Sequence, residues 1–126
     1  MPSKTAVSIV EDDDSLRLAL VGLVRSLGHE ARGFASAEEY LALRDGRCAC
    51  VITDLHMPGI DGIDMMLKLR EMGYSVPAIM ITARAEPAIE ARALAAGALC
   101  VLRKPFEAQA LVECLQRAVT EGASSH

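Results

Sequence analysis

The sequence predicts a doubly wound α/β domain: an open, mostly parallel sheet with helices on both faces. Three observations lead there. Five short apolar runs alternate with five segments of helical periodicity. The fourth run is apolar almost throughout, as expected of a parallel strand covered on both faces. The chain of 126 residues has room for one core and no second.

Thr5 to Val10 reads as the first strand and ends at the acidic run Glu11-Asp12-Asp13-Asp14. A helix follows, because Leu16, Leu20, Leu23, Val24 and Leu27 recur at helical spacing; Asp13, Asp14 or Ser15 can cap its start and Gly28 can close it. Glu30 to Phe34 is shorter and more polar, the pattern of an edge strand, and Ser36 can cap a helix from Ala37 to Leu43. Cys50 to Asp54 is the third strand. The Pro and Gly punctuation of Met57-Pro58-Gly59-Ile60-Asp61-Gly62 then marks a loop before a helix over Ile63 to Met72. Val76 to Thr82 is the fourth strand and is expected at the centre of the sheet. Pro87 suits a first helical turn, where its missing N–H has no helical partner, and Ile89, Ala93, Leu94 and Ala96 lead on to Gly97. Leu99 to Leu102 is the fifth strand, and a last helix spans about Glu107 to Thr120. Residues 1–121 are expected to form the domain, with 122–126 a tail or truncated linker. Right-handed crossovers about the first strand give the flavodoxin-like doubly wound class.

Composition narrows the function. A hydrophobic fraction of 52% beside 24% charged residues is globular, while 3% aromatics leaves little for stacking bases. A net charge of −4 argues against nucleic acid as a direct partner, since DNA binding needs a basic stripe. No apolar run approaches the ~20 residues of a membrane span, and Met1-Pro2-Ser3-Lys4 lacks the apolar stretch of a signal peptide. No membrane partner and a cytoplasmic location are therefore expected. Cys48, Cys50, Cys100 and Cys114 lack the paired spacing of a zinc site and read as reduced, buried thiols.

In sheets of this class the binding crevice lies at the carboxyl ends of the strands, where the winding reverses. The strand ends deliver Glu11 and Asp12, then Asp54, Thr82 and Lys104. Three carboxylates within about 5 Å of one another would repel by roughly 3 kcal/mol per pair at an effective dielectric near 20, so the site needs positive charge. Lys104 supplies one. Hard oxygen ligands match Mg²⁺ or Mn²⁺, with Asp12 and Asp54 as direct ligands and Glu11 acting through water. Asp54 facing a phosphate across such a cation is placed to act as a phosphoryl acceptor, since this reaction rests mainly on positioning and charge neutralisation. Lys104 can pair with the phosphoryl oxygens, the Thr82 hydroxyl can donate to one of them, and the small Ala83 leaves them space. Taken singly, each residue has an ordinary reading as helix cap, strand end or surface charge; their shared position at the strand ends is what points to a site.

These residues, in this order, closely resemble the receiver domain of two-component response regulators. The likeness covers nearly the whole chain and rests on four spaced motifs: Val10-Glu11-Asp12-Asp13; Val51-Ile52-Thr53-Asp54 with Met57-Pro58-Gly59 and Asp61-Gly62; Ile81-Thr82-Ala83; and Lys104-Pro105-Phe106. Phe34-Ala35-Ser36-Ala37-Glu38-Glu39 looks most like receivers of the nitrogen-fixation and nitrate regulator type. The resemblance implies strand order 2-1-3-4-5, a cis Lys104–Pro105 peptide, and a His56 backbone carbonyl completing the metal shell. It also implies phosphorylation of Asp54 by a sensor histidine kinase or phosphotransfer protein. Such a domain is not an enzyme in the ordinary sense, although it promotes its own phosphorylation and slow dephosphorylation. Output would pass to a target or output domain through the face of the fourth helix, fifth strand and fifth helix, with a homodimer possible on phosphorylation.

One departure stands out: the fifth-strand position that usually carries a rotating Tyr or Phe is Val101. Coupling between Thr82 and the output face would then run through backbone shifts alone or be weak. His56 and Arg84 hold the positions that in the family tune access of water to the acyl phosphate. Three rival readings fare less well. A phosphatase with an Asp nucleophile would want a second acid two residues on, where His56 stands, and a flavin module would want a phosphate cradle where the chain is acidic. The serious alternative is a degenerate receiver serving as a phosphorylation-independent interaction module.

Overall fold

A computed structural model describes residues 5–44, 48–84 and 86–124. Five strands, β1 (Ala6–Val10), β2 (Glu30–Phe34), β3 (Cys48–Asp54), β4 (Ala78–Thr82) and β5 (Ala98–Arg103), alternate with five helices. These are α1 (Asp14–Ser26), α2 (Ala37–Leu43), α3 (Gly62–Glu71), α4 (Pro87–Ala95) and α5 (Ala108–Ser124). The sheet runs β2-β1-β3-β4-β5, and all four pairings are parallel. β2 is an edge, as its polar residues foretold. β4 is interior and buried at all five positions, though β3 holds the middle of the sheet.

Side chains alternate across the strands and divide the core in two. Val7, Ile9, Ile52, Ile79 and Ile81 pack with Leu20 and Val24 of α1 and with Leu111, Leu115 and Ala118 of α5. On the other face Val10, Val51 and Met80 meet Ala37 and Tyr40 of α2, Met65, Met66 and Leu69 of α3, and Ala93 of α4. Both faces are covered, so neither can be displaced without exposing apolar surface.

The helix ends follow local chemistry. Asp13 caps α1 by accepting from the Leu16 N–H at 3.0 Å, and Ser36 caps α2 by accepting from the Glu39 N–H at 3.0 Å. Gly28 closes α1, its N–H donating to the Arg25 carbonyl.

Most boundaries fall within a residue of expectation, and three larger differences have a physical reason. β4 starts at Ala78 rather than Val76, because Pro77 has no N–H to donate to the ladder, although its carbonyl still accepts from Val51. β3 starts at Cys48, two residues early. Its pairing with β1 skips from Cys48 to Cys50 across one step of β1, so Ala49 is a bulge. Plain alternation would put Cys48 and Cys50 on one face. The bulge instead sends Cys48 to the α2–α3 side and Cys50 to the α1–α5 side. Finally, α5 continues to Ser124: Gly122 weakens a helix without ending it, so residues 122–124 of the expected tail prolong α5 while Ser125 and His126 lie outside the described residues.

All four cysteines are free thiols. Burial drives Cys50 above its ordinary range, and burial with the neighbouring Cys100 pushes Cys114 up to about 12, so these are neutral packing groups.

Candidate functional site

The carboxyl ends of β1, β3, β4 and β5 meet at one edge of the sheet. Glu11 follows β1 directly and is 1% exposed. Its backbone N–H donates to the Phe34 carbonyl at 3.0 Å, and its side-chain Oε2 accepts from the Asp13 N–H at 3.1 Å. Asp12 is exposed beside it. Asp54 ends β3 and is 5% exposed, with both carboxylate oxygens held. Oδ1 accepts from the His56 N–H at 3.1 Å, and Oδ2 accepts from Lys104 Nζ at 2.9 Å.

Lys104 reaches this point because β5 is pinned to β4 immediately before it. Its backbone N–H donates to the Thr82 carbonyl at 2.7 Å, and the Lys104–Pro105 peptide is cis, as the resemblance implied. From there Nζ spans Asp54 and Glu11, standing 3.5 Å from Glu11 Oε1. Thr82 is fully buried, and its hydroxyl is occupied by backbone: Oγ1 accepts from the Arg84 N–H at 3.0 Å and donates to the Arg84 carbonyl at 3.2 Å. Ala83 and the His56 side chain are exposed at the rim.

Glu11, Asp12 and Asp54 each present an oxygen, and the three lie within 4.8 Å of one another; among the described residues this is the one such group able to hold a metal ion. The electrostatics show how crowded the charge is. Burial pushes the Glu11 carboxyl up to about 7; the Asp13 N–H opposes this, the Asp54 charge and the hydrogen bond with Asp12 add to it, and Lys104 offsets part. Burial alone would lower the Lys104 ammonium, yet its hydrogen bond to Asp54 and the charges of Asp54 and Glu11 outweigh this and raise it. A cluster of hard oxygens that takes up a proton near neutrality when no cation neutralises it fits a hard divalent ion.

The structure therefore brings together Glu11, Asp12, Asp54 and Lys104 as the sequence placed them, with Thr82 at the adjacent strand end. It adds roles for two residues to which sequence reasoning gave none. Arg17 of α1 donates through Nη1 to the Glu11 carbonyl at 2.8 Å, anchoring the backbone of the acidic pair. Gly62 opens α3 directly against the acceptor strand, where a Cβ would stand 2.5 Å from the Asp54 carbonyl oxygen. Arg17 reads as an ordinary surface charge in its helix. Gly62 stands in the Asp61-Gly62 motif, but nothing in the sequence says what its missing side chain makes room for.

Comparison with known proteins agrees with this geometry. The response regulator receiver domain family matches residues 7–116. Nodulation protein W of Bradyrhizobium diazoefficiens is 35% identical over 114 residues, 90% of this chain and 50% of that protein. Transcriptional regulatory protein FixJ of Rhizobium meliloti is 32% identical over 113 residues, 89% of this chain and 55% of that protein. The chain thus spans about half the length of the curated relatives it matches. Among solved structures, response regulator StyR superposes with a TM-score of 0.88 at 35% identity, covering 96% of this chain and 62% of that one. FixJ-N gives 0.86 at 29%, covering 94% and 96%. Chemotaxis protein CheY4 of Vibrio cholerae gives 0.85 at 28%, covering 92% and 99%.

Proposed function

The chain belongs to the response regulator receiver domain family, and we propose that within it Asp54 accepts a phosphoryl group in two-component signalling. One observation carries the assignment to this residue: Asp54 is the carboxylate fixed at both oxygens, by the His56 N–H and by Lys104, beside two further acids. In the transfer, an Asp54 carboxylate oxygen forms a bond to phosphorus as the P–N bond of a phosphohistidine donor breaks. The imidazole leaves with the electron pair and takes up a proton. Lys104, already at Oδ2, pairs with the equatorial phosphoryl oxygens and offsets the charge added to Asp54. Glu11, Asp12 and Asp54, with the His56 carbonyl, would hold a Mg²⁺ or Mn²⁺ ion, which would add to the neutralisation of charge that Lys104 supplies. The Thr82 hydroxyl leaves the Arg84 backbone to donate to the phosphoryl group, which has room over Ala83.

The donor is a sensor histidine kinase or a phosphotransfer protein, and the setting is cytoplasmic; no helix among the described residues is long and apolar enough to cross a membrane. Release of the Arg84 backbone shifts the start of α4, and the signal leaves through the α4–β5–α5 face to a target or an output domain, or by pairing two phosphorylated copies. With Val101 on β5 the shift is carried by backbone and not by a rotating ring. Because the acceptor set of Asp54, Lys104 and Thr82 is complete, a phosphorylation-independent interaction module is the weaker reading.

Incubation with acetyl phosphate and Mg²⁺, read by intact mass, tests the proposal. One added phosphoryl group, lost with chelator and absent in Asp54→Asn, is the expected result. A folded wild type that gains none under any of these conditions would overturn it.

A further inference from the structure

We infer that Glu38 of α2 is a positioning residue for the acceptor site, holding the crown of the loop that links Asp54 to α3. The inference rests on the reading of Asp54 and its acidic neighbours as a metal-assisted acceptor.

The capping needs of α2 are met without Glu38. Ser36 accepts from the Glu39 N–H at 3.0 Å, and Glu39 reaches back past the cap to accept from the Ala35 N–H at 3.3 Å. Glu38 is left to act elsewhere, and its Oε2 accepts from the Ile60 N–H at 3.2 Å, 22 residues along the chain. The same oxygen lies directly over Gly59, whose φ of +80° excludes most side chains and whose missing Cβ makes room for the carboxylate.

The loop so held is closed at its base. The Leu55 N–H donates to the Ile81 carbonyl at 2.8 Å, and the Gly62 N–H returns to the Leu55 carbonyl at 3.2 Å. Asp61 caps α3 by accepting from the Asp64 N–H at 2.8 Å. His56 sits just inside this closure, donating its N–H to Asp54 Oδ1 and offering its carbonyl towards the metal shell of the proposed mechanism. With both ends fixed, the crown at exposed Gly59 and half-buried Ile60 is the part least held by backbone, and a hydrogen bond from a neighbouring helix restrains it there. Motion of the crown passes to His56 through only three intervening residues, 57–59, so Glu38 acts on the acceptor through the loop and touches neither metal nor phosphate.

Titration of Mg²⁺ into isotope-labelled wild type, Glu38→Gln and Glu38→Ala, followed at the His56 amide by NMR, tests this without requiring phosphorylation. Glu38→Ala is expected to weaken Mg²⁺ binding by about five-fold, the scale of one net hydrogen bond, and to speed exchange of the Ile60 amide in the metal-free protein. Glu38→Gln keeps an acceptor oxygen and is expected to stay near wild type in both. Wild-type Mg²⁺ affinity in Glu38→Ala would overturn the inference, as would a Gln variant no better than Ala, which would make the effect one of charge. A wild type that binds Mg²⁺ yet takes no phosphoryl group from acetyl phosphate would sink the acceptor reading while leaving the positioning result standing. A wild type that binds no Mg²⁺ would remove both.

Discussion

At Gly62 the acceptor strand and the next helix come so close that no side chain fits. An added Cβ would meet the Asp54 carbonyl oxygen at 2.5 Å and Thr53 Cγ2 at 3.3 Å, and backbone cannot move aside as a flexible side chain can. Gly62→Ala is expected to destabilise the fold by about 1–3 kcal/mol, as overpacking does, and to slow phosphorylation of Asp54 by displacing it; urea denaturation and intact mass measure the two effects. Lys104 presents a different case, because its ammonium occupies Asp54 Oδ2 and approaches Glu11, the carboxylates proposed to hold the cation. Lys104→Met should therefore bind Mg²⁺ no more weakly than wild type, while phosphoryl transfer falls by on the order of 10²-fold for want of the charge that stabilises the transferring group. Loss of Mg²⁺ affinity in that variant would mean that Lys104 organises the acids instead of competing for them. Asp54 and Lys104 were legible from sequence because each follows an apolar strand. Gly62, Arg17 and Glu38 were not, because their roles are contacts between elements far apart in the chain or across a turn.

Among the elements, strands and caps were readable where local chemistry decides them and unreadable where pairing does. Asp13 and Ser36 cap the helices they precede, as their side chains allow. Asp13→Ala is expected to lose about 1 kcal/mol of stability in thermal or chemical unfolding, the usual scale for an N-cap. The Ala49 bulge has no such signature, since it arises from how β3 registers on β1. Strand order likewise came from family resemblance; the alternation of strands and helices alone fixes the class but leaves several orders open. At the β4–α4 junction, the Thr82 hydroxyl both accepts from and donates to the Arg84 backbone. In Thr82→Ala the Arg84 N–H loses its acceptor, so its amide should exchange faster in the unphosphorylated protein, while Asp54 still accepts phosphate. If the variant showed unchanged exchange at Arg84, that turn would not be the resting state of the switch.

Over the whole molecule, the site competes with stability through Glu11. The carboxyl titrates near 4.5 in the ordinary case and is pushed up to about 7 in the fold, chiefly by burial, so between these values the folded chain binds the extra proton. Folding is then favoured most below pH 4.5 as far as this group is concerned, and its contribution is lost as pH rises towards 7. Glu11→Gln, which cannot ionise, should flatten that part of the stability–pH curve in metal-free buffer. Mg²⁺ reverses the relation: binding requires the ionised carboxylate, so affinity should rise with pH across the same window and level off above it, and saturating ion should stabilise most at neutral pH. Parallel unfolding curves from pH 5 to 8, with chelator and with Mg²⁺, would show the metal-free and metal-bound proteins diverging as pH increases. Curves that stayed a constant distance apart would mean that Glu11 does not change protonation on binding, so that either its raised pKa or its place in the metal site would have to be given up.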